Sequence, residues 1–280
     1  MQKKVLVLVS NPKGTVYLNL LPEIHDLQEA LLRSQQRHSF SVAWRVAKTH
    51  KDLRRYILDI KPHIIHFCGH GTEQGLVLED DTGAVKVVSN DMLTGLLQTF
   101  ADTVECVLLN ACYSEPLADG LAQHLNYVIG MNQAVNDDAA IAFAEGFYDA
   151  LGAGESYKRA FEVGKNAVWE QNTNRSGVSR EITLDGENSE PERAYSQGHL
   201  IPVLKINPNP RSIRPLGKQL KLEDRKRKLE KERKRLEAID QKIAEGVDFE
   251  EEEKLENRKN GIYQKIDALS QEIKRLEDGK

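Results

Sequence analysis

A thiol and an imidazole are the side chains of this sequence whose surroundings best suit them to covalent chemistry. The imidazole is His70, near the end of P-H-I-I-H-F-C-G-H-G, and the thiol is Cys112, near the end of V-E-C-V-L-L-N-A-C-Y-S. Both are apolar runs with strand character, and in an open α/β sheet functional groups collect beyond the carboxyl ends of strands. A helix start near Pro116 lies a few residues after Cys112, so the positive end of the helix dipole favours its thiolate. An imidazole can polarise such a thiol and then protonate a leaving amine, the division of labour in acyl transfer. Gly71 leaves its N–H unobstructed and, with the N–H of Cys112, offers a cradle for a tetrahedral oxyanion. Spacing alone makes this a weak signal, because one His and one Cys are easily found in any chain.

The elements that would have to deliver these residues alternate between strand and helix. Residues 4–10 are a β-branched run broken by N-P-K-G, and residues 21–35 then carry Leu21, Ile24, Leu27, Ala30 and Leu31 at helical spacing. Strands are predicted over 40–47, 64–68, 105–110 and 127–131, and helices over 52–60, 91–100, 116–124, 139–151 and 155–169. Residues 75–79 and 84–88, flanking D-D-T-G, pattern as a β-hairpin. The apolar segment 200–206 returns to the sheet. The fold class is therefore α/β, a mostly parallel sheet joined and flanked by crossover helices.

Two polar stretches interrupt this order. Residues 172–198 lack an apolar face and hold several Gly and Pro residues, which predicts a long surface loop; Arg175, Arg180 and Arg193 make it a candidate for self-cleavage. Residues 207–217, N-P-N-P-R-S-I-R-P-L-G, read as a stiff linker. The predicted organisation is a catalytic domain over 1–206, this linker over 207–217, and a helical module over 218–280. In that module Leu222, Leu229, Leu236 and Ile243 recur at heptad spacing, as do Leu255, Ile262, Leu269 and Leu276. Gly246 suits a helix stop, and Asp248 with Glu251 suits a new start, so the tail is predicted to be an antiparallel helical hairpin. Arg225 and Glu232 stand where a second apolar column belongs, which leaves a narrow seam suited to self-association or to a regulatory protein partner.

Composition removes several classes. A net charge of -4 over 280 residues indicates no obligatory polyanion. The basic run 225–235 lacks aromatic interleaving, so nucleic acid is an unfavoured partner. No apolar run is long enough for a membrane span, and the N-terminal burst is too short for a signal peptide, so a cytoplasmic protein is expected. Cysteines 68, 106 and 112 are odd in number and argue against a disulfide framework. Cys68 and Cys106 alternate into apolar strands as small hydrophobes. His66, Cys68 and His70 share a strand face, yet their spacing is unlike that of zinc sites, and neither a metal nor another cofactor is called for. His63, His124 and His199 read as surface or satisfied core histidines.

The motifs H-F-C-G-H-G-T-E-Q-G-L-V-L-E-D, C-V-L-L-N-A-C-Y-S and Y-V-I-G-M-N-Q-A-V-N-D-D-A-A-I-A-F-A-E-G-F-Y-D-A-L-G-A-G occur in that order. They resemble the CHAT family of prokaryotic caspase-like cysteine peptidases, from about residue 4 to 206. The resemblance implies a caspase-like sheet, with His70 as the catalytic histidine, Cys112 as the nucleophile and Gly71 as the oxyanion glycine. It also implies a protein substrate and a role in bacterial defence or regulated cell death. Asp137 and Asp138 are the candidates for an acidic substrate-binding pocket that would accept Arg or Lys, although Asp138 also suits the N-cap of the helix that follows. The alternative to a peptidase is a non-catalytic caspase-like scaffold that works through its hairpin.

Overall fold

The β-branched runs form strands and the amphipathic runs form helices, in the order the periodicities predict. The computed structural model describes residues 2–171, 201–210 and 216–278. Strands β1 (Lys3–Val9), β2 (Phe40–Val46), β3 (Ile64–Cys68), β7 (Cys106–Asn110), β8 (Tyr127–Met131) and β9 (Pro202–Ile206) make one sheet in the order β2-β1-β3-β7-β8-β9. All pairings are parallel except that of β9, which runs antiparallel along β8. Beyond β3 lies a small antiparallel sheet of β4 (Gly71–Thr72), β5 (Gly75–Glu79) and β6 (Val85–Ser89). Its β5–β6 pair is the predicted hairpin.

Two helical layers cover the main sheet. Helices α2 (His50–Ile60), α3 (Asn90–Gln98) and α4 (Glu115–Leu121) bury Leu53, Ile57, Leu93, Leu97, Leu117 and Leu121 against Leu6, Leu8, Ile65, Phe67, Val107 and Leu109. The side chains between these strand residues point to the opposite face, because successive residues of a strand alternate. There α1 (Leu20–Arg33), α5 (Asp137–Gly152) and α6 (Tyr157–Gln171) pack together. The two central strands β3 and β7 are buried at every position, as expected of parallel strands covered on both faces.

Several boundaries were set by caps rather than by periodicity. Helix α2 starts at His50 because Thr49 and Asp52 form a reciprocal capping box. Helix α5 starts at Asp137 because the Asn136 side chain accepts a hydrogen bond from the Ala139 N–H at 2.8 Å. The N-cap role read for Asp138 is therefore corrected. Asn is as good a cap as Asp, and Asn136 occupies the point where the chain turns from extended to helical.

By its internal contacts the chain divides into two units, Gln2–Ile213 and Arg214–Lys280. The second holds α7 (Leu216–Ala244) and α8 (Phe249–Glu277). Arg225 pairs with Glu272 and Lys226 with Glu277, while Lys242 pairs with Glu251, so the start of one helix meets the end of the other. The hairpin is antiparallel. Gly246 makes the turn at φ 91°, and Asp248 caps α8 by accepting from the Glu251 N–H at 2.9 Å. The predicted loop 172–198, with its three arginines, lies outside the described residues, as do residues 211–215 of the linker.

Candidate active site

Strands β3 and β7 are parallel neighbours with Cys68 opposite Asn110. His70 and Cys112 each lie two residues beyond that last pair, so the parallel strands bring both residues to the same rim of the sheet. Between them the backbone closes up. A Cβ placed on Gly71 would stand 2.5 Å from the carbonyl oxygen of Cys112 and 2.9 Å from the Ala111 Cβ, so only glycine fits there. Val77 N–H donates to the His70 carbonyl at 3.1 Å, and Gly71 lies opposite Leu76. Hydrogen-bonded and non-bonded pairs alternate along an antiparallel ladder. Gly71 thus falls at a non-bonded pair, and its N–H points away from β5.

The imidazole has a defined orientation. Nε2 of His70 lies 2.7 Å from the Val16 carbonyl oxygen, an acceptor only, so Nε2 carries the proton and Nδ1 is the acceptor of the neutral ring. Val16 belongs to the segment between β1 and α1. Asn11 clamps that segment, its Nδ2 donating to the Leu18 carbonyl at 2.8 Å and its Oδ1 accepting from the Leu18 N–H at 3.3 Å. Leu18 is fully buried while Val16 and Tyr17 are exposed. The N-P-K-G stretch, read only as a breaker, also supplies this clamp.

The thiol sits on a sharp elbow. Tyr113 adopts φ 53°, the left-handed region, directly after Cys112, and a bulky residue held there is strained unless its surroundings enforce it. Ser114 enforces it: its hydroxyl donates to the Leu109 carbonyl at 3.1 Å and accepts from the Met131 N–H at 2.9 Å, tying the elbow to β7 and β8. The sulfur lies against Val135, whose N–H donates to it at 3.3 Å. His70 and Cys112 are both fully buried. Asp137 is buried and Asp138 half-buried, two and three residues after the backbone that touches the sulfur.

The remaining sulfur and nitrogen groups sort by face. Cys68 and Cys106 are buried, and burial together with Glu105 pushes the Cys106 thiol well above its ordinary pKa. Glu105 forms a buried pair with Lys3 and accepts from the Tyr157 hydroxyl at 3.0 Å. His66, Cys68 and His70 do not act together. His66 and Cys68 meet Glu23 of α1, whereas His70 turns to Val16.

A CHAT domain family model matches residues 2–191, and the chain belongs to that family. Among curated proteins it is 28% identical over 153 residues to a protein of Gillisia limnaea named "Probable protease", a match covering 53% of this chain and 27% of that one. It is 24% identical over 159 residues to a "Roc-COR-CHAT protease" of an unknown prokaryotic organism, covering 53% of this chain and 15% of that one. The match thus spans less than a third of either relative. Among solved structures, the Drosophila initiator caspase Dronc aligns with 62% of this chain and 74% of its own at 10% identity. Its TM-score of 0.39 is too low for the likeness to carry an argument.

Proposed function

We propose that this chain is a cysteine endopeptidase in which Cys112 attacks the scissile carbonyl of a protein substrate and His70 carries the proton. The observation that carries this reading is the in-register pairing of β3 with β7: Cys68 lies opposite Asn110, His70 and Cys112 each follow two residues later, and Gly71 packs against the Cys112 backbone. His70 takes the thiol proton on Nδ1 while its Nε2–H stays on the Val16 carbonyl, and returns a proton to the leaving amine. The N–H groups of Gly71 and Cys112 stabilise the oxyanion. Water then releases the acyl group from the sulfur.

Asp137 and Asp138, close to the Cys112 sulfur in the chain's path, form the acidic end of the substrate pocket and favour Arg or Lys before the cut bond. The helical module, residues 218–280, recruits a regulatory protein or a second copy, and the protein acts in the cytoplasm in defence or regulated cell death. The family match and the protease names of its relatives support the peptidase class. Cys112→Ala is expected to abolish cleavage of a basic-residue peptide library while the fold, followed by circular dichroism, is retained. Undiminished cleavage by that variant rules the mechanism out.

The full burial of His70 and Cys112 favours a second reading, a scaffold whose dyad is never used. A thiol-reactive peptide probe separates the two. A peptidase labels at Cys112 faster than at Cys68 or Cys106, whereas a scaffold shows no such preference.

A further inference from the structure

The face of the sheet beneath α1 contains a polar cluster that the peptidase chemistry does not use. Glu23, His66 and Cys68 are all fully buried, and their ligand-type atoms lie within 4.8 Å of one another. Strand alternation brings His66 and Cys68 to this face, and Glu23 enters from a helical face otherwise made of Leu20, Ile24 and Leu27. The Glu23 carboxylate oxygen stands 3.1 Å from His66 Nε2. Yet among the described residues neither ring nitrogen of His66 has a hydrogen-bond partner, nor does the hydroxyl of Tyr148, whose ring stacks on His66 at 5.7 Å. The nitrogen and oxygen are close but out of line, an arrangement that costs free energy in a dry core.

Two lone pairs aimed at a common third point produce the same arrangement. Around a tetrahedral zinc ion, with Zn–N and Zn–O distances of about 2.0–2.1 Å, neighbouring ligand atoms are roughly 3.3 Å apart, and a thiolate lies roughly 3.6 Å from either. The 3.1 Å separation of Glu23 and His66 is close to that edge, and with all three atoms within 4.8 Å of one another the sulfur needs to close by at most about 1.2 Å. The donor set, one thiolate, one imidazole and one carboxylate, is of the mixed kind that suits zinc. Its two negative charges match the divalent ion, which offsets the cost of burying them.

We propose that Glu23, His66 and Cys68 supply three ligands of a buried zinc site that staples α1 to β3 beneath the rim that carries His70 and Cys112. Asn110, on the adjacent strand, orients the carboxylate: its amide donates to the Glu23 oxygen and to the Ala140 carbonyl, the latter at 3.0 Å. The inference rests on geometry below the rim and stands whether or not the peptidase reading does. The full chain, purified without chelators from zinc-supplemented cells, is expected to hold one zinc per chain by elemental analysis and to melt at a lower temperature once stripped. Reconstitution with Co(II) is expected to give a thiolate-to-cobalt charge-transfer band that Cys68→Ser removes and that Cys106→Ser and Cys112→Ser retain. Glu23→Gln, which keeps the shape but not the charge, should weaken Co(II) binding at least about tenfold and serves if Cys68→Ser does not fold. Absence of zinc with no cobalt uptake overturns the site. So does a charge-transfer band that survives Cys68→Ser, or one lost in Cys112→Ser, which would place the metal on the catalytic thiol.

Discussion

The sheet unit and the helical hairpin bury their sequences in different ways. In β3 and β7 every residue is buried, and neighbouring positions alternate between two helical layers. In the hairpin, Leu222, Leu255 and Ile273 are buried, but Leu229, Leu236, Ile262, Ile266 and Leu269 remain half-exposed along the seam. Ion pairs across the seam, such as Lys226 with Glu277, are solvent-exposed and each contribute about 0.2–1 kcal/mol or less. Packing from both sides holds the residues at the sheet rim in defined positions. A narrow seam gives up that precision and leaves part of its apolar surface exposed.

Truncating one large side chain in each unit tests this contrast most directly. Phe67, 2% exposed in the sheet core, is expected to cost about 3–5 kcal/mol as Phe67→Ala, seen as a lowered denaturant midpoint of the sheet unit. Next in size is Gly71→Ala, whose new methyl must displace the Cys112 backbone. A loss of at least about 100-fold in kcat/KM with native circular dichroism is expected, and full activity would remove Gly71 from the site.

Leu255→Ala in the hairpin should cost only about 2 kcal/mol, the low end for a buried leucine, because the seam around it can close up. Cleavage of short peptides by this variant should match wild type, while any self-association measured by sedimentation should weaken. A cost equal to that of Phe67→Ala would erase the contrast between the units.

The smallest effect concerns protons at the amino end of the sheet. Burial, aided by Lys3, lowers the pKa of His63, whose Nδ1 accepts the Lys4 N–H at 3.1 Å. As pH falls below about 6.5 the unfolded chain binds a proton that native His63 resists, so stability declines through that range. His63→Asn keeps an acceptor but does not titrate. Its denaturant midpoint should change less between about pH 7 and pH 5.5 than that of wild type.

Much of this architecture was legible in the chain. The runs ending at Cys68 and Asn110 are short, apolar and bounded by breakers, which suits buried central strands, so the placement of His70 and Cys112 just past strand ends followed from local pattern. The heptads, Gly246 and Asp248 likewise announced the hairpin. Other features gave no local sign. The left-handed Tyr113 and the two bonds of Ser114 depend on where β8 runs, and a two-residue strand such as β4 has no periodicity to detect. The choice of Asn136 over Asp138 as helix cap was ambiguous because both residue types cap well.

The chain by itself determined which segments are strands and helices and which reactive side chains lie at their ends, because periodicity, caps and breakers act over a few residues. Tertiary structure alone decided that β3 lies beside β7, that the Val16 carbonyl meets the His70 ring, and that Glu23 descends onto His66 and Cys68. Those encounters join residues far apart in sequence. They are fixed by how two helical layers fill the faces of one twisted sheet, a packing problem that no local pattern encodes.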